Sequence, residues 1–135
     1  MKTHAPKEKF DDPLSEKVIG CAMKVHRELG FGFVESVFHR ALEIELAEAG
    51  IDFESEKRMN VFYKGRIVGH FVADLVIEGR LVVELKAVEA MVKAHEVQLV
   101  NYLTAANIAS GLLINFGTES LGFRRKFKRS KSSVI

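Results

Sequence analysis

Hydrophobic positions recur first at helical spacing and then at strand spacing, with the change near residue 53. In DDPLSEKVIGCAMKVHRELG, Leu14, Val18, Cys21, Ala22, Val25 and Leu29 fall on one stripe; Asp12 can cap the helix, Pro13 suits its first position and Gly30 ends it. A second helix is predicted from about Val34 to Ala49, with Val37, Phe38, Ala41, Leu42 and Leu46 inward and Gly50 as a left-handed stop. From Phe53 the period is two. The runs FESEKRMNVFY, RIVGHFVADLVI and RLVVELKAV, separated by Lys64-Gly65 and by Glu78-Gly79-Arg80, predict three antiparallel strands. A helix follows at roughly Lys93 to Ala106, then SGLLINF as a buried strand and LGFRRKF as an edge strand. The fold class is α+β, two helices preceding a three-stranded meander, a helix and closing strands.

Charges interrupt this pattern where burial is expected: Asp74 in one strand, Glu84 and Lys86 in the next. A buried charge is costly unless it is paired or binds a cation. Glu84 and Lys86 are two residues apart and share a face, opposite Leu81, Val83 and Leu85. A three-residue loop over Glu78-Gly79-Arg80, with Gly79 or its neighbour left-handed, sets Asp74 opposite Glu84; a two-residue turn sets Val83 there instead. In the first register the Cβ atoms of two carboxylates lie ~5 Å apart with an ammonium beside them. Such a pair is tolerated if one acid is protonated, if Lys86 bridges the two, or if a divalent cation binds between them. Oxygen ligands without sulfur favour Mg²⁺ or Mn²⁺ over zinc. For these three residues taken alone, a structural Asp–Lys–Glu ion-pair cluster at a sheet end is the preferred reading.

Composition narrows the setting. A chain of 135 residues, 47% hydrophobic and 28% charged, suits one globular domain. We place that domain at residues 13–127, between a polar segment at 1–12 and a basic tail at 128–135. No apolar run approaches the ~18 residues that span a bilayer, so no membrane partner is expected. The polar start lacks the apolar centre of a secretion signal. The lone Cys21 allows no internal disulfide or multi-cysteine zinc site, and a cytoplasmic location is expected. Net charge is only +2, but Phe123 to Lys131 holds six cations and no acid, a field that would attract phosphates. From composition by itself a solvated, frayed basic tail is the preferred reading.

Asp74, a nine-residue spacer and Glu84-Leu85-Lys86 together resemble the core of the PD-(D/E)XK nuclease superfamily, with Ala73 where the motif has proline. Gln98 to Tyr102, QLVNY, resembles the Q-x-x-x-Y signature of its RecB-like branch; Gln98, Tyr102 and His95 share one helical face. VHRELGFGFVESVF resembles the defining stretch of the GxxExxY proteins, with Gly32, Glu35 and Phe38 at the named positions and Phe in place of Tyr. The resemblance runs from about Leu14 to Phe127. It implies a restriction-endonuclease-like core, a central mixed sheet flanked by helices. It further implies a nuclease in which Glu35, Asp74, Glu84 and the Leu85 carbonyl hold Mg²⁺ or Mn²⁺, with Lys86, Gln98 and Tyr102 completing the catalytic set. In that setting Arg124, Arg125, Lys126, Lys128 and Arg129 become backbone contacts to nucleic acid, DNA before RNA, and a homodimer or protein partner would supply targeting.

Other residues read less specifically. Glu35 in the first turn of its helix is also favoured by the helix dipole alone, and its spacing predicts that it lies on the buried side with Phe38, Leu42 and Leu46. His26 and His95 are candidates for supporting the site, His39 reads as a surface residue, and Cys21 as a small core residue. A noncatalytic binding or regulatory module on the same fold, and a hydrolase of small phosphoesters, are the rival functions.

Overall fold

The computed structural model describes residues 12–130. Asp12 caps the first helix, its Oδ1 accepting the Leu14 N–H at 3.1 Å, and Pro13 fills the first position, where no N–H is needed. This helix, α1 (Pro13–Leu29), ends at Gly30, whose N–H donates to the His26 carbonyl. Helix α2 (Glu35–Glu48) follows, then strands β1 (Phe53–Tyr63), β2 (Arg66–Ile77) and β3 (Leu81–Lys86), helix α3 (Lys93–Ala106), and strands β4 (Ser110–Asn115) and β5 (Gly122–Phe127). Every predicted element is present. Among the described residues no helix is long and apolar enough to cross a membrane.

The strands form one five-stranded sheet in chain order, antiparallel except for β3 and β4, which run parallel. A parallel pair needs a crossover, and α3 provides it. Side chains alternate through the sheet into two cores. Leu81, Val83, Leu85, Leu112 and Ile114 pack with α1 and α2; Val82 and Leu113 pack with Leu99 and Leu103 of α3. The mixed α+β sheet flanked by helices is the predicted fold class.

The β2–β3 turn decides the register. Glu78 and Gly79 both have positive φ, 51° and 69°, and Ile77 pairs with Leu81, Val76 with Val82 and Leu75 with Val83. The loop is therefore the three-residue Glu78-Gly79-Arg80 form, and one step further this register sets Asp74 across from Glu84. Around Asp74 the strand also changes cores: Leu75 and Ile77 lie under α1 and α2, whereas Phe71 and Ala73 lie under α3. The β1 residue across from Asp74 is Glu56, between the pairs Ser55–Leu75 and Lys57–Ala73, and it has a positive φ of 52°. The irregularity thus falls at the residue that carries the acid.

Candidate active site

Asp74 and Glu84 are held by each other's strands. The Asp74 N–H donates to Glu84 Oε2 at 3.0 Å, and the Leu85 N–H donates to Asp74 Oδ2 at 2.8 Å. Glu84 is buried among apolar neighbours and Asp74 is half-buried. Burial, then the Asp74 charge, pushes the Glu84 carboxyl up to about 8, against the opposing pull of the Asp74 N–H and Lys86. Asp74 is also raised by burial, a rise countered by the Leu85 N–H, His39 and Lys86 and reinforced by Glu56. Lys86 lies on the same sheet face as Glu84 and favours both carboxylates electrostatically. Among the described residues it makes no ion pair within 4.0 Å, so an Asp–Lys–Glu salt-bridge cluster is not what holds the two acids.

The remaining candidates fall in several places. Glu35 opens α2 behind Val34, which offers no side-chain cap; it is exposed rather than turned into the core with Phe38 and Leu42. Its carboxyl is nevertheless raised, first by partial burial and then by Asp74, and Lys86 and His39 oppose that rise. Phe38 is fully buried with its ring stacked on Phe116, centroids 4.7 Å apart, which gives the aromatic position a packing role needing no hydroxyl. Tyr102 stacks on Phe71 at 3.9 Å, and its phenol is raised by burial and then by Glu84 and Asp74, which brings it to the carboxylates. Gln98, one turn earlier, is exposed.

His26 and His95 have structural partners. His26 Nε2 meets the Thr118 carbonyl at 2.8 Å, tying α1 to the β4–β5 loop, and His95 Nδ1 accepts the Val92 N–H at 3.3 Å at the start of its own helix. His39, like Glu35, lies elsewhere than the sequence pattern predicts. It is buried, with Nε2 3.0 Å from both Ser55 Oγ and Glu43 Oε2, while Ser55 donates to Glu43. Its spacing of four from Glu35 on one helix was the available signal; packing of β1 against α2 supplies the burial. The basic segment differs too. Arg124 and Lys126 pair with Glu96 on α3 at 3.9 and 2.9 Å, and Arg125 pairs with Glu16 on α1. Lys128 and Arg129 donate to Asn107 and Asn101 at 2.9 and 2.7 Å; Lys131 lies outside the described residues. Much of this charge is therefore engaged with the protein's own helices.

Among the described residues no three His, Cys, Asp or Glu side chains form a ready-made cation cage. Two carboxylates, one of them destabilised by its neighbour, still fit Mg²⁺, which commonly takes one or two protein carboxylates and fills its remaining positions with water and substrate oxygens. A family model for the PD-(D/E)XK nuclease superfamily matches residues 12–129. The chain belongs to the PD-(D/E)XK nuclease superfamily. The crystal structure of SSO0001 is similar in fold, with a TM-score of 0.58 and 20% identity over 73% of this chain and 52% of that one. The chain thus spans about half the length of that neighbour. No curated protein matches. The matched residues of this PD-(D/E)XK protein include Asp74, Glu84 and Lys86.

Proposed function

We propose that this PD-(D/E)XK protein is a divalent-metal-dependent nuclease of the GxxExxY group in the RecB-like branch, hydrolysing phosphodiester bonds in DNA in preference to RNA. The observation that carries the reading is the pair Asp74 and Glu84, juxtaposed by the three-residue β2–β3 loop without an ion pair to Lys86. A buried acid pushed up to about 8 by desolvation and a like charge is suited to a cation, which would remove the repulsion.

Asp74, Glu84 and the Leu85 carbonyl would hold Mg²⁺ or Mn²⁺, and Glu35, at the edge of the site, would reach it directly or through water. The ion would supply Lewis-acid polarisation of the scissile phosphate. Lys86 orients the attacking water and offsets the negative charge that builds on the phosphate oxygens. Gln98 and Tyr102 position the substrate or the lysine from α3. The two raised carboxylates and the lysine whose charge acts on both support this division of labour. A second copy or a protein partner would add targeting surface.

Cleavage of labelled single- and double-stranded DNA and of RNA, with Mg²⁺, Mn²⁺ or EDTA, tests the reading. Metal-dependent cutting by the wild type, lost in Glu84→Ala and Lys86→Ala purified identically, is the expected result. Cutting that survives both substitutions, or turnover of free nucleotides without polynucleotide cleavage, overturns it.

A further inference from the structure

The β1–β2 hairpin is longer than the sheet needs. β3 pairs only with Leu75 to Ile77, whereas β1 and β2 pair from Phe53–Ile77 out to Tyr63–Arg66. The ribbon thus extends past β3, with α3 on one side of it. Its stretch from Lys57 to Ala73 holds four cations and no acid. At its far end Phe62 and Tyr63 are 59% and 64% exposed, unusual for aromatic rings, with Lys64 lying over the Tyr63 ring.

Between ribbon and α3 lies a groove of about 670 Å³. Its walls include Phe62, His70, Phe71, Asn101, Tyr102 and Arg129, and no acidic residue lines it. Arg58 hydrogen-bonds His70, one of the lining residues, at 3.2 Å, which ties a guanidinium to the ribbon beside the groove. Ring faces and cations without acids are the chemistry of a single-strand nucleic-acid surface, where bases stack and phosphates meet charge. A protein partner would need neither the cations nor the absence of acids. Tyr102 belongs both to this groove and to the surroundings of Asp74 and Glu84, so a strand lying in the groove would run toward the carboxylates.

We infer that the groove between the β1–β2 ribbon and α3 is the track for a single nucleic-acid strand, with Phe62 as a stacking platform and Arg58, Arg66 and Arg129 as phosphate contacts. This assignment rests on the polynucleotide substrate proposed above and moves the main contact surface away from the β5 cations, which are committed to Glu16 and Glu96.

Fluorescence anisotropy with a labelled single-stranded oligonucleotide in EDTA separates binding from cutting. Phe62→Ala is expected to weaken binding about tenfold or more. The double substitution Arg58→Gln/Arg66→Gln should make the slope of log K against log salt about 1.4 shallower, 0.7 for each lost phosphate contact. Arg27→Gln on α1 should change neither. No binding by the wild type, unchanged affinity in the ribbon variants, or a loss confined to Arg124→Gln and Arg125→Gln would overturn the assignment. So would unchanged affinity accompanied by an altered sedimentation coefficient, which would make the ribbon a self-association surface. Binding through the ribbon without metal-dependent cleavage would uphold the track and refute the nuclease; cleavage and binding both indifferent to the ribbon would do the reverse.

Discussion

Glu84→Gln isolates the energetic consequence of the paired carboxylates. Glutamine has nearly the same shape, and its Oε1 can still accept the Asp74 N–H that Glu84 now accepts. The difference is ionisation. The Glu84 carboxyl titrates near 4.5 when exposed and near 8 in the fold, so its contribution to stability is fully present below pH 4.5 and is lost as pH rises to 8. At about 1.4 kcal/mol for each pH step of one, the loss by pH 7 is on the order of 3 kcal/mol, and local relaxation reduces it to about 2. The Gln variant carries no such term. It is therefore expected to melt about 5–10 °C above the wild type at pH 7.5 in EDTA and to converge with it near pH 4.5. Asp74 and Glu35, also raised, tilt the wild-type profile in the same direction. Added Mg²⁺ should raise the wild-type melting temperature and leave the variant nearly unmoved. Thermal denaturation by circular dichroism across pH 4.5 to 8 measures all of this. Parallel profiles for the two proteins would refute the argument that Glu84 is held at a cost.

Two further substitutions probe the frame behind the site. Gly117→Ala would drive a Cβ to 2.3 Å from the Val88 nitrogen and 2.4 Å from its carbonyl oxygen, backbone that cannot move aside, so a loss of about 3 kcal/mol is expected in urea denaturation. Buried Asn115 accepts the Val88 and Gly117 N–H groups and donates to the Val88 carbonyl, each at 3.0 Å, in register with Lys86 on the neighbouring strand. Asn115→Ala should cost about 2–3 kcal/mol in the same assay and lower DNA cleavage by loosening the chain just after Lys86.

Sequence by itself determined the elements and the acidic pair. Helix bounds and the three meander strands depend on periodicity and turns set within a few residues, and both were legible; the sequence left a three-residue and a two-residue β2–β3 turn open, and the structure takes the Glu78-Gly79-Arg80 form. The loop then determined which face Asp74 shares, because a strand has only two. Tertiary structure alone decided the rest. His39 sits on the flank of α2, and only the arrival of Ser55 from β1 buries it. The cations of β5 read as an open patch until Glu16, 109 residues earlier in the chain, and Glu96 come alongside. The acid-free stretch from Lys57 to Ala73 is written in the sequence, but the groove exists only because the crossover between β3 and β4 lays α3 beside it. Contacts between distant residues carry no local period, so nothing in the pattern of either partner announces them.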